Sequence, residues 1–147
     1  MNFLERPTIN MTSINKNNLL SLSWTDPIRC HQLNKDNVLD YFSQRSNSFY
    51  DTSCNNETLR MQNRPLHHLT AMRGVEYALV HHQDPIMFVI RKQKRLSQSK
   101  VETIADYYIV AGVVYQSPDL GSIINSRLMS SLYHLDAAFK EALANAR

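Results

Sequence analysis

The chain has 147 residues, 43% hydrophobic and 20% charged, a balance that fits one domain of ordinary size and speaks against disorder throughout. Lys and Arg number 16 and Asp and Glu 13, so the net charge is +3, too small a surplus to argue for nucleic acid by itself. Gly at 3 and Pro at 5 exclude collagen-like and low-complexity classes, and the two cysteines, Cys30 and Cys54, allow at most one disulfide, so stability must come from a core, as suits the cytosol or nucleus.

Residues 1–20 read as a flexible N-terminal arm: polar, rich in Asn and without a sustained period. They lack the apolar run of a signal peptide. Order is expected from about residue 21, as a single domain over 21–147. Leu20-Ser21-Leu22-Ser23-Trp24 alternates like an edge strand, and Asp26-Pro27 forces a turn. A short helix is predicted over 34–44, where Asn34 or Asp36 can accept from the first-turn amides and Val38, Leu39 and Phe42 share a face. Ser46 to Asp51 is a loop carrying Phe49 and Tyr50. A second helical region is predicted over 55–72, divided by Pro65 and stopped by Gly74.

The character changes at Val75. Segments 75–80, 86–91 and 104–116 are rich in β-branched and aromatic residues, which predicts three antiparallel strands in sequential order. Gln83-Asp84-Pro85 reads as a hairpin connection, and the third strand as long and bent at Gly112. Ser117-Pro118-Asp119 then predicts a helix start with Ser117 as N-cap and Pro118 at the first helical position. Ile124, Leu128, Leu132, Leu135, Phe139 and Leu143 follow at helical spacing, giving a long amphipathic helix of roughly 35–40 Å. The fold class is therefore α+β: a small antiparallel sheet of about three main strands flanked by helices, with a long C-terminal amphipathic helix.

The third strand is largely apolar on both alternating sets of residues: Ala105, Tyr107, Ile109, Ala111, Val113 and Tyr115 on one, Asp106, Tyr108, Val110, Gly112, Val114 and Gln116 on the other. An antiparallel sheet with one face in water alternates cleanly, so both faces here want cover. Either the chain's own helices supply it, with the last helix lining one face, or another protein completes part of a face or a helix flank.

Candidate chemistry is sparse. His67-His68, His81-His82, His31 and His134 with the two cysteines lack the local pairing of a zinc site, and neighbours on a strand point to opposite faces; no metal ligands are assigned. Cys54 before a helix start is the one candidate thiol nucleophile, but no Gly-rich turn surrounds it, and no GxGxxG or Walker pattern is present. The residues thus point to no catalysis, no cofactor and no small-molecule substrate. The longest apolar stretch, 107–115, is about half of a membrane span. A basic run, Arg91-Lys92-Gln93-Lys94-Arg95, with Tyr107, Tyr108 and Tyr115 on a strand leaves an alternative reading: a single-stranded nucleic-acid-binding module. Sequence-specific DNA binding is not expected.

Several strings resemble the Mediator complex subunit 6 family. They are Asn37-Val38-Leu39-Asp40-Tyr41-Phe42-Ser43, Phe49-Tyr50-Asp51, Cys54-Asn55-Asn56-Glu57, Gly74-Val75-Glu76-Tyr77, Pro85-Ile86-Met87-Phe88-Val89-Ile90-Arg91-Lys92-Gln93, the run from Ala105 to Gln116, and Pro118-Asp119-Leu120-Gly121-Ser122. The resemblance covers about residues 21–145 in order. It implies a non-catalytic, nuclear subunit of the Mediator head module, a coactivator that links regulators to RNA polymerase II in transcription. The implied partners are other head-module subunits, middle and scaffold subunits, and RNA polymerase II. The resemblance also implies that relatives continue past this domain into a longer C-terminal portion. As protein-binding anchors the residue types single out Trp24, Phe49 and Tyr50, since large aromatics carry such contacts, with Arg91 and Lys92 of the basic run and the outer flank of the 119–145 helix beside them.

Overall fold

Five strands form where β-branched and aromatic residues concentrate: β1 (Ser23–Trp24), β2 (Gly74–Gln83), β3 (Met87–Arg95), β4 (Val101–Val110) and β5 (Val113–Gln116). In the computed structural model, which describes residues 19–146, they pair antiparallel in the order β1-β5-β4-β3-β2. Three α-helices accompany them: α1 (Val38–Phe42), α2 (Asn55–Met61) and α3 (Leu120–Asn145). Short 3-10 turns lie at Leu19–Ser21, Cys30–Gln32 and Leu66–Ala71. The architecture is α+β. Most of the expected N-terminal arm, residues 1–18, lies outside the described residues.

The helical region 55–72 divides as expected at Pro65, into α2 and the 3-10 turn. Asn34 Oδ1 accepts from the amides of Asp36 (2.9 Å) and Asn37 (3.1 Å) at the entry to α1. Two expectations are corrected. The long third strand is a hairpin, β4 and β5, folded back at Ala111 (φ +48°) and Gly112 (φ +82°). Two consecutive left-handed residues match the twist of a tight hairpin turn. Gly112 is needed twice over, because a Cβ there would stand 2.4 Å from the Cβ of Cys30. Second, the N-cap of α3 is Asp119, whose Oδ1 accepts from Ser122 N at 2.7 Å. Ser117 instead donates its amide to Asp106 O (2.8 Å) and extends the β4–β5 ladder.

The fold-back redistributes the faces. Pairing of Ile109 with Val114 and of Tyr108 with Tyr115 puts Tyr107, Ile109 and Val114 on one side and Tyr108, Val110, Val113 and Tyr115 on the other. The first side, with Tyr77, Phe88 and Ile90, is the floor of the core. Leu33, Val38, Tyr41, Phe42, Phe49 and Cys54 close over it. Phe42 is fully buried and packs its ring on Tyr50, Tyr77 and Tyr107 at centroid distances of 6.1, 5.4 and 5.2 Å.

Buried polar groups tie the covering layer down. Asn56 donates from Nδ2 to Tyr77 O and accepts from Tyr77 N, both at 2.8 Å, so its amide pairs with β2 as another strand would. Tyr41 Oη donates to Gly112 O (2.6 Å) and accepts from Asp26 N (2.9 Å), pinning the β4–β5 turn to the N-terminal segment.

Candidate protein-interaction surface

Of the two readings for sheet cover, the one in which the last helix lines a face does not hold. Every described residue of α3 is exposed along its 26 residues, a rod of roughly 39 Å. The short helices and the loop between them cover the core instead, since four large rings, Tyr41, Phe42, Phe49 and Tyr77, fill the space over the sheet. Leu120, Ile124, Leu128, Leu132, Leu135, Phe139 and Leu143 are all at least half exposed, from 51% to 71%. At 100° per residue they make one stripe about 140° wide, broader than the narrow seam of a two-stranded coiled coil. Asp136, Lys140 and Glu141 lie outside it, with Lys140 bonded to Asp136 at 2.6 Å.

The second sheet face is also without a covering helix among the described residues. Met87, Val89, Tyr108, Val113 and Tyr115 are half-buried on it, and Tyr108 and Tyr115 stack at 5.3 Å. One end of this face is closed by a buried carboxylate. Glu76 accepts from Gln93 Nε2 (2.7 Å), Arg95 Nε (3.0 Å) and Arg95 Nη2 (2.7 Å). Charge pairing with hydrogen bonds of this kind is what permits a carboxylate inside.

The five anchor candidates do not converge. Phe49 is buried and packs its ring at a tilt against Tyr107, centroids 5.5 Å apart, so its bulk serves the core and pins the loop. Tyr50 is half-buried, donating to Glu57 Oε2 (3.0 Å) and accepting from Cys54 Sγ (3.3 Å). Trp24 lies on the edge strand with its ring 5.0 Å from that of Tyr41 and remains partly open. Arg91 grips Asp106 with two bonds, at 2.8 and 3.0 Å, on the open face. Lys92 points to the other face, 3.5 Å from Asp51 and over the Tyr77 ring.

The basic run is therefore no patch. Strand alternation splits it between faces, and Arg91, Lys92 and Arg95 each meet a carboxylate. Burial raises the Tyr77 and Tyr107 hydroxyls above the ordinary tyrosine range, as it does that of Tyr50, with Cys54 and Glu57 adding to it. Tyr107 is a core group rather than a stacking platform, so the nucleic-acid reading loses one of its three tyrosines along with its basic patch. Cys54 is 1% exposed, which closes it to a substrate. Among the described residues there is no cluster of three or more His, Cys, Asp or Glu able to hold a metal, and no helix is long and apolar enough to cross a membrane.

Two carboxylates at the covering layer carry a pH signature. Bonds from the Ser53 hydroxyl and amide, helped by Lys92, hold Asp51 below its ordinary range. Bonds from Arg60, helped by Tyr50, do the same for Glu57. A carboxyl depressed in the folded state contributes stability above the unfolded value, about 4, and loses it as pH falls through the folded value. Urea midpoints should hold steady above about pH 5 and drop below about pH 4. The double substitution D51N and E57Q should flatten that drop. An equally steep drop in the variant would assign acid lability elsewhere.

Sequence reasoning identified the apolar flank of α3 but missed the Glu76–Gln93–Arg95 network and the Asn56 clamp. Cross-strand register brings those residues together, and nothing local signals it.

Comparison with known proteins gives the surface its setting. Residues 22–147 match the family model described as MED6 mediator sub complex component. Over 132 residues the chain is 54% identical to Mediator of RNA polymerase II transcription subunit 6 of Danio rerio, covering 90% of this chain and 52% of the relative. Its counterpart in Drosophila melanogaster is 49% identical over 131 residues, 89% of this chain and 53% of the relative. The chain thus spans about half the length of these curated relatives. A chain in the structure of the Schizosaccharomyces pombe Mediator head module superposes with a TM-score of 0.72 at 28% identity, over 84% of this chain and 88% of that one. The structure of the S. pombe Mediator subunit Med6 gives 0.64 at 28% identity, over 83% and 96%. The segments 37–43, 74–77, 85–93 and 105–116 that carry the sequence resemblance all fall within the matched span, and on that match the chain belongs to the family of the MED6 mediator sub complex component.

Proposed function

We propose that the chain is a non-catalytic, nuclear interaction subunit of the Mediator coactivator, joining other head-module subunits through α3 and so helping to pass regulatory signals to RNA polymerase II. Middle and scaffold subunits and the polymerase itself are its further partners in this reading. The observation that carries it is the 26-residue amphipathic helix with every described residue exposed. A helix gains most of its stability from packing an apolar face, and this one has no packing partner among the described residues. Exposed apolar surface of this extent marks a contact with another protein. The width of the stripe fits a groove between two partner helices better than a single helix. The open sheet face offers a second, smaller contact.

Expressed alone, the chain should self-associate or precipitate, because α3 then has only its own copies to cover it. Co-expression with head-module subunits should yield one soluble, stoichiometric complex, measured by size-exclusion chromatography with light scattering. A monodisperse monomer indifferent to those subunits would contradict the reading.

A further inference from the structure

The β4 strand is only half covered on its outer side. β5 pairs with residues 107–110, and the bond from Ser117 N to Asp106 O ends that ladder. Residues 101–105 pair with β3 on one edge and, among the described residues, have no strand on the other. Val101 and Ile104 on this stretch are 40% and 52% exposed. Beside it lies a cleft of about 410 Å³, walled by β4, the end of β5 and the start of α3. Its lining also includes Leu20, Asp119 and Asp106, the last already held by Arg91, and no Lys or Arg lines it. Gln116 also lines it, and Gln116 Oε1 is buried with no hydrogen-bond partner among the described residues.

These features specify an occupant. An uncovered strand edge presents main-chain donors and acceptors that only another extended chain can match in register. Arg91 already holds Asp106, so the acceptors the cleft leaves open are Gln116 Oε1 and the Asp119 oxygen not used in capping α3, and the side chain that meets both is a cation with several N–H donors. A buried carbonyl without a partner is costly to leave so and is relieved by such a donor. The register shift from the Lys92–Ala105 pair to the Gln93–Thr103 pair leaves Ile104 as a bulged residue. Bulges blunt edges against indiscriminate pairing and recur beside binding sites, so the edge favours a segment that also brings the matching side chain. We infer that the uncovered half of β4 docks an extended segment of another polypeptide, which adds a strand beside residues 101–105 and places a lysine or arginine in the cleft beside Gln116 and Asp119. The inference takes its setting from the proposed role as an interaction subunit, but the surface is separate from the α3 stripe.

The test uses the full chain and a labelled, end-blocked heptapeptide of alternating threonine and valine with one central lysine. Two companions carry a central glutamate, or the lysine with alternate backbone nitrogens methylated. Fluorescence anisotropy gives affinity, and amide hydrogen exchange gives the place. The lysine peptide should bind and slow exchange within residues 101–105. The glutamate peptide should bind about tenfold more weakly, and the methylated one, stripped of main-chain donors, should not bind. Asp119→Asn keeps an N-cap for α3, checked by circular dichroism, while removing the charge. It should weaken the lysine peptide about three- to fivefold and leave the glutamate peptide no weaker. Absence of lysine-peptide binding, equal binding of all three peptides, or protection outside 101–105 would each overturn the inference. No other subunit takes part, so that failure would leave the assembly role of α3 untouched, and a failed co-expression would leave this site untouched.

Discussion

Replacing Leu128 and Leu132 together by glutamate should abolish co-purification with head-module subunits and leave the melting temperature of the sheet domain unchanged. The two leucines sit mid-stripe on α3, 55% and 51% exposed, and glutamate is a good helix former. The isolated fold loses no contact, because α3 covers none of the core. In a complex each leucine contributes about 1.5–3 kcal/mol of apolar burial. Two carboxylates there must instead be stripped of water without a built partner, at a cost of several kcal/mol more. The combined loss exceeds about 5 kcal/mol, more than a thousandfold in affinity. His134→Glu, outside the stripe, is the matched control and should retain binding. Retained assembly of the double variant, or a lowered melting temperature, would show that the stripe serves something other than a partner.

Phe42→Ala should cost about 3–5 kcal/mol of domain stability, read from urea midpoints. Phe42 is 0% exposed and meets Tyr50 edge-on, at an interplanar angle of 89°, in the middle of the layer that closes the sheet. The truncation leaves a cavity that three tyrosine rings cannot fill. Against a typical total of about 5–15 kcal/mol, the variant stands close to unfolding. Phe139→Ala makes the contrast: the same chemistry at 66% exposure on α3 should change stability by less than about 0.5 kcal/mol. Equal costs at the two sites would mean that α3 is part of the core after all.

Periodicity made much of the fold legible. The β2–β3 hairpin shows in the Val and Ile runs around Gln83-Asp84-Pro85, the division of 55–72 shows in Pro65, and the extent of α3 shows in its leucine spacing. The β4–β5 turn was hidden because Val110-Ala111-Gly112-Val113 offers a single glycine amid apolar residues, where a turn ordinarily announces itself with Asn, Asp or Gly pairs. Placement was hidden for a different reason. Helical spacing tells that one side of α3 is apolar, but the same stripe results whether the cover is the chain's own sheet or a neighbour.

The anchor residues illustrate the same gap. Trp24, Phe49 and Tyr50 were singled out by size, yet core and interface use large aromatics alike, and Phe49 went to the core. Arg91 and Lys92 looked like a local basic run, while their partners Asp106 and Asp51 are distant in sequence. Strand pairing and the packed loop decide such contacts, and neither has a local signature. The apolar character of both sheet faces survived the change from one long strand to a hairpin, because Tyr108, Val110, Val113 and Tyr115 gathered on the open side.

Amide hydrogen exchange across Leu120–Asn145, in the isolated chain diluted until light scattering shows a monomer and in the co-expressed complex with head-module subunits, tests the role of α3 most directly. An exposed helix opens readily, so its amides in the chain alone should exchange within seconds to minutes while those of β3 and β4 stay protected. In the complex the same amides should slow by about a hundredfold or more, as expected when opening requires a packed face to be released. Equal rates in the two samples would contradict the assignment of α3 as the element that partners cover.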